Sequence, residues 1–279
     1  MERIYKLIIH QDEKALEDLG KHIHPFILRR MKKDVLTELP DKIETKMLVD
    51  MTEEQRKVYA AFLENVRGEL VSSDDEGGFE QSKIKILAAL TRLRQICCHP
   101  STFLDDYTGE SGKLELLMDL LMEAIAGNHR ILIFSQFTSM LQIIAKRLEK
   151  EKIKFFYLEG STSGEDRSDF VKRFNAGEKE VFLISLKAGG TGLNLVGADT
   201  VIHYDPWWNP AVEDQATDRA YRIGQKNSVQ VIRLITKDTI EEKIYKLQQK
   251  KKDLSDSVIT TKELFINTLT REELEDLFR

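Results

Sequence analysis

Cysteine is almost absent from this chain of 279 residues: there are two, Cys97 and Cys98, and they are adjacent. Neighbouring cysteines rarely bond to each other, and one pair builds no disulfide framework. A reducing, intracellular setting is therefore the expectation. His99 follows directly, but no second Cys/His cluster stands at zinc-ligand spacing, so no metal site is expected and the pair reads as small buried thiols at a helix end. Long apolar runs are also missing. None approaches the roughly eighteen residues that a membrane span requires, so no membrane partner is expected. Residues 1–16, "MERIYKLIIHQDEKAL", carry charge too early for a secretory signal. A strong charge of one sign is lacking too. The net charge of −5 argues against unspecific coating of nucleic acid and leaves room for a local basic groove. An apolar content of 41% suffices for one large core or two smaller ones.

A further absence bears on chemistry. The phosphate-cradling pattern G-x-x-x-x-G-K-[ST] does not occur. Gly20-Lys21 is followed by His22 and Gly112-Lys113 by Leu114, and neither has the earlier glycine in register. "DDEGG" at 74–78 resembles the acidic box that holds magnesium in ATPases. Such a box ends an apolar strand, and the "ELVSS" before it is none, so it reads as an exposed acidic loop. No internal repeat or long low-complexity segment is visible.

What is present divides in two. The first third reads as helical and irregular. "PFILRRMKKDVLTELP" is basic and amphipathic and ends at a proline. "MTEEQRKVYAAFLENVRGEL" has a helical apolar period, with Thr52 and Gln55 at capping-box spacing. "VSSDDEGGFEQS" is a polar break, and "KIKILAALTRLRQICC" resumes a helix that His99-Pro100 ends. From about residue 111 short β-branched or aromatic runs alternate with helical segments. The runs lie at 130–135, 154–159, 180–185, 199–204 and 229–236. Apolar strands spaced by helices indicate an α/β fold, a parallel sheet covered on both faces, with all strand C-termini on one ligand-binding edge.

Small and polar residues follow the strands. "FSQFTS", "EGSTSGEDR" and "ISLKAGGTGLNL" each offer glycines or hydroxyls, and successive backbone amides in such loops can cradle phosphate. Thr162 and Glu165 again have capping-box spacing. In "WWNPAVEDQATDRAYRIGQ", Asn209-Pro210 suits a helix start and Gly224 a helix stop. Gln215, Arg219 and Arg222 then share one helix face, and Asp218 stands four residues before Arg222. Spacing alone leaves two readings open: a guanidinium pair aimed at a phosphate, or a solvated face with an i,i+4 ion pair.

Taken together, "RILIFSQFTSML", "LEGSTSGEDRSDFVKRFN", "ISLKAGGTGLNLVGADTVIHYDPWWNP" and "QATDRAYRIGQ" resemble the Swi/Snf family of DNA-dependent ATPases within helicase superfamily two, in order and spacing. "PFILRRMKKDV", "LPDKIE" and "LRQICCHP" fit the segment that joins that family's two lobes. The resemblance implies a second RecA-like lobe without the first, which explains the missing P-loop. It implies an inter-lobe segment and protrusion over 1–110, a helicase C-terminal lobe over 111–237, and a brace helix with a tail over 238–279. It further implies that Arg219 and Arg222 are catalytic arginine fingers and that Gln215, Gly192 and Asn194 lie at the nucleotide. Ser135, Gly160, Ser161, Ser185, Lys187, Gly189, Gly190 and Trp208 would track DNA, with a buried aromatic as the alternative for Trp208. Implied partners are double-stranded DNA and the first lobe of the same protein. ATP and Mg2+ are the implied cofactors, held mainly by that first lobe. The implied setting is a bacterial cytoplasm or nucleoid, with the nucleus as alternative. Two departures stand out, Tyr221 where the family often has His and Thr191 in place of Leu.

Overall fold

The computed structural model describes residues 39–72, 79–189, 192–255 and 277–278. The expected basic helix before residue 39, the acidic loop at 74–78, Gly190 and most of 270–279 lie outside these. The elements in chain order are β1 (Lys42–Val49), α1 (Glu53–Ser72), α2 (Phe79–Cys98), a short 3-10 turn (Pro100–Thr102), α3 (Gly112–Ala126), β2 (Ile131–Ser135) and α4 (Thr138–Lys150). There follow β3 (Phe155–Leu158), α5 (Gly164–Asn175), β4 (Val181–Ser185), α6 (Leu186–Gly189), β5 (Thr200–His203), α7 (Pro210–Thr217), β6 (Val229–Thr236) and α8 (Ile240–Ser255).

Among the described residues the strands form one six-stranded sheet in the order β1-β6-β5-β2-β4-β3, and every pairing is parallel. The strands are continuous apolar runs because both faces are covered, and successive side chains serve opposite cores. Ile131, Ile133, Val181, Leu183 and Ile202 pack with α3 and α4 on one face. Leu132, Phe134, Phe182, Ile184 and Val201 pack on the other with α5, α6, α7 and the segment 193–198. A third cluster joins α1 and α2 to Ile240 and Ile244 of α8, with Trp208 in it.

The five strands expected from the sequence are all present within a residue or two at each end. β1 was not foreseen. "KIETKMLV" pairs with β6 along its whole length, Lys42 opposite Val229 and Val49 opposite Thr236, so the sheet extends into the segment read as helical. Its partly polar pattern reflects an edge position, with Ile43 and Leu48 exposed.

Helix ends also differ in detail. At α1 the amide of Gln55 donates to Thr52 Oγ1 at 3.2 Å, but the Gln55 side chain does not return to the cap. It is buried and donates to the carbonyls of Ile96 and Cys97 at 2.8 and 3.1 Å, tying α1 to the end of α2. At α5 the cap is Ser163, one residue later than expected, with Asp166 N donating to its hydroxyl at 3.1 Å.

His203 closes β5 inside the second core. Its ring stacks on Phe134, and its Nε2 lies 2.9 Å from Thr217 Oγ1 at the end of α7. Burial first, and the nearby Arg233 charge second, pull its pKa down from 6.5 to about 3, so it stays neutral in the fold. The unfolded chain takes up that proton as pH falls below 6.5, so this part of the stability is present above 6.5 and is lost on acidification. Burial alone would raise Glu44, but Lys42 and Arg233 hold it down at about 2, so its contribution fades only below 4.5. His203 therefore acts over the interval in which Glu44 does not. We expect urea unfolding to lose up to about 1.4 kcal/mol per pH unit from this one group between about pH 6.5 and 4.5. In His203→Gln the slope should be shallower by that amount; parallel pH profiles for the two proteins would rule out the histidine as the cause.

Candidate active site

All strands run the same way, so the segments after β2, β3, β4 and β5 emerge at one edge, with Ser135 directly opposite Ser185 in the register. The residues expected to meet a polyanion fall into two groups there. Gly160, Ser161 and Lys187 are exposed. Ser161 Oγ donates to Glu159 Oε1 at 2.6 Å, and a Cβ on Gly160 would meet nothing within 4 Å, so backbone is open to an approaching ligand.

Ser135, Ser185 and Gly189 are buried instead. Ser135 Oγ donates to Asp205 Oδ1 at 2.5 Å and accepts from the amide of Phe137 at 3.1 Å. Ser185 Oγ lies 3.4 Å from the amide of Ala188. A Cβ on Gly189 would come within 2.9 Å of Phe134 Cε1, so glycine here is needed for the chain to pass over the ring. These three shape the loops from within. Trp208 is also internal, only 6% exposed, and sits in the third cluster with the Arg94 guanidinium 5.3 Å from its ring. The buried-aromatic alternative describes its surroundings.

The arginine segment begins as expected. Asn209 caps α7, its side chain accepting from the amide of Ala211 at 3.0 Å, and Pro210 is the first helical residue. The helix then ends at Thr217, not at Gly224. Arg219 and Arg222 therefore stand in a turn after the helix, and the single-face argument does not describe them. The turn is set by Ala220 N and Tyr221 N donating to Thr217 O, each at 3.0 Å, and by Gln225 N donating to Arg222 O at 3.0 Å. Gly224 takes φ +101° in it, which an L side chain adopts only with strain.

The same turn is stapled to the segment 192–198. Leu195 N donates to Arg219 O at 2.9 Å, and Arg222 Nη1 donates to Leu193 O at 3.3 Å. Gln225 is the clasp: its buried Nε2 reaches the carbonyls of Ala198, Ala220 and Val196 at 2.7, 3.1 and 3.2 Å. This brings Gly192 and Asn194, both exposed, beside the two half-buried arginines. Gln215 lies on α7 just before the turn, half-buried. The arginine turn lies against the 193–198 segment, which packs on the second face of the sheet.

Electrostatically the pair is poised for an anion. Burial first, and the like charge of Arg222 second, pull the Arg219 pKa down, with Asp218 opposing. Two guanidiniums this close repel each other, and an anion between them would relieve that. Each guanidinium offers a planar donor fork.

Several residues that hold the site carried no role in the sequence reading. Gln225 and Asp205 were inside quoted motifs, and their only signal was a polar residue at a place where the chain must turn. Glu213, Arg233 and Arg94 gave none, because their partners are remote in sequence.

The model for the helicase conserved C-terminal domain matches residues 112–224, and that for the SNF2-related domain matches residues 1–102. The C-terminal domain of a Sulfolobus solfataricus SWI2/SNF2 ATPase superposes with a TM-score of 0.69 at 35% identity, covering 85% of this chain and 98% of that one. A Sulfolobus solfataricus SWI2/SNF2 ATPase core in complex with double-stranded DNA gives a TM-score of 0.72 at 38% identity, covering 98% of this chain and 58% of that one. YwqA of Bacillus subtilis is 43% identical over 278 residues, 96% of this chain and 29% of that protein. This chain thus spans less than a third of the length of that relative.

The clasp sets a measurable expectation. Gln225→Ala strips the buried carbonyls of Ala198 and Ala220 of this donor, and the half-buried one of Val196, at a cost of about 1–3 kcal/mol. Thermal unfolding should show the loss, and amide exchange at Leu195 should speed up more than exchange in β2. Equal acceleration at both would argue against a local staple.

Proposed function

Since the chain belongs to the SWI2/SNF2 ATPase family and corresponds to its C-terminal lobe, we propose that it is the second lobe of an ATP-driven translocase on double-stranded DNA, with Arg219 and Arg222 as its contribution to phosphoryl transfer. The observation that carries this reading is the arginine turn. The Arg222 guanidinium donates to Leu193 O and the Arg219 main chain is bonded to Leu195 and Ala216, which sets both residues in one turn next to the exposed Gly192 and Asn194.

The residues present fit one side of a nucleotide. Guanidinium and amide donors suit phosphate oxygens. Among the described residues no group of three or more His, Cys, Asp or Glu is placed to hold a metal ion. With the P-loop pattern also missing from the sequence, ATP and Mg2+ are assigned to a first lobe that docks on this face. Bound there, ATP supplies the transferable γ-phosphoryl group. Arg219 and Arg222 hold its oxygens and spread the charge that develops on them. Gln215, Gly192 and Asn194 border the same space. At the strand-end edge, Lys187, Gly160 and Ser161 meet the phosphates of one DNA strand, which positions the duplex without reading its bases. Ser135, Ser185 and Gly189 keep that edge in shape.

Two measurements test the reading. The purified 279-residue chain should hydrolyse ATP at the rate of a buffer blank, with or without DNA. In a protein that joins this chain to a first lobe, Arg219→Ala should lower DNA-stimulated turnover by about 10³-fold or more, leaving DNA affinity within about twofold. If turnover and DNA binding fall together, the turn is structural and the finger assignment is wrong.

A further inference from the structure

Glu213 lies in the first turn of α7 and is only 2% exposed, yet both carboxylate oxygens are occupied. Its Oε1 accepts from the amide of Trp207 at 2.7 Å and from Gln248 Nε2 of α8 at 3.0 Å. Its Oε2 accepts from Arg233 Nε of β6 at 3.0 Å. Arg233 extends the set through Nη1 to Glu44 of β1 at 2.7 Å. Gln248 also donates to the carbonyl of Trp207. One buried carboxylate thus joins the segment leaving β5, the helix leading to the arginine turn, strands β6 and β1, and the C-terminal helix.

α7 has eight residues, too few to hold a course by itself. Its start is pinned by Glu213. Its end is pinned by His203 on Thr217, and the turn beyond by Gln225. Gln248 ties α8 to both Glu213 and the Trp207 carbonyl, and α8 is fixed at its other end by Lys113 on Glu241 and by Ile240 N donating to Tyr59 Oη at 2.9 Å.

From this geometry we infer that Glu213 is a positioning residue for the arginine pair, and that Gln248 transmits the placement of α8 to it. The inference rests on the phosphoryl-transfer reading given above. Neither residue meets the nucleotide. Each acts by setting where Arg219 stands when the two lobes meet, and a misplacement of about 1 Å at such a site can cost about 10²-fold in rate.

The test uses the protein with both lobes and reads kcat and KM for ATP, DNA affinity and thermal stability. Glu213→Gln keeps the shape and removes the charge that Arg233 requires. It should lower kcat by about tenfold, with KM and DNA affinity within about twofold. Gln248→Ala should act the same way, more weakly. A cycle with Arg219→Lys, which leaves a measurable rate, isolates the mechanism. On that background Glu213→Gln and Gln248→Ala should each change kcat by less than about twofold, because the group they position is already displaced. Equal fold losses of kcat in both backgrounds, tracking melting temperature, would show a general structural role and overturn the inference. Should Glu213→Gln fail to fold, Gln248→Ala carries the same cycle. If Arg219→Lys and Arg219→Ala leave kcat unchanged, the finger reading itself falls; if both lower kcat and Gln248→Ala is neutral in the unsubstituted background, only the positioning role does.

Discussion

Three carboxylates buried at the mouth of the sheet hold the architecture together. Asp205 is 3% exposed, Glu213 2% and Glu241 0%. Ionised carboxylates are expensive in such places unless charged and hydrogen-bonding partners meet them. Each partner cation comes from a different element. Arg94 of α2 faces Asp205 at 3.8 Å, Arg233 of β6 faces Glu213 at 3.0 Å, and Lys113 of α3 faces Glu241 at 2.5 Å. These contacts specify which helix lies where, because any other packing would leave a charge buried without its counterion. Burial still dominates at the most distant pair: it raises the Asp205 pKa and lowers that of Arg94. The Asp205 carboxylate also accepts from Ser135 Oγ and the amide of Gln136, so the residues after β2 are fixed by the same group.

That constraint also orders the strand-end edge. Asp205 locks the ends of β5 and β2, with Arg94 also donating to the carbonyl of Pro206. The strand-end edge is thereby rigid on its inner side, and only the outermost loop positions remain open to a ligand. Glu213 then sends the chain back across the second face, where the arginine turn meets the 192–198 segment. Charge is sequestered at one end of α7 and presented at the other. The short helix is the lever between them.

The sheet was largely legible in the sequence because a strand buried on both faces is a continuous apolar run, and five such runs are hard to mistake. β1 was not, since an edge strand carries Lys42, Glu44 and Lys46 among its apolar residues and loses the signal. Helix starts were legible where a side chain acts on its own backbone, as at Asn209. Helix ends were less so. Gly224 is a credible stop by type, but α7 yields at Thr217 because tertiary bonds to His203 and to the 192–198 segment capture the turn first. The arginines were found by motif, whereas their supports were not. Glu213 pairs with Arg233 and Gln248, and nothing local distinguishes it from a surface glutamate at a helix start. Trp208 was left open between a DNA contact and a buried aromatic, and its place in the third cluster matches the second of these.

The arginine pair shows why one lobe holds only part of a site. Burial first, and the Arg222 charge second, lower the pKa of Arg219, so two like charges kept in one turn are costly in this chain by itself. Backbone bonds to Leu193 and from Leu195 keep the turn in place against that repulsion. An anion set between two such guanidiniums would be attracted by both and would relieve their repulsion, so the backbone bonds that hold the turn also leave it suited to a phosphate-bearing ligand.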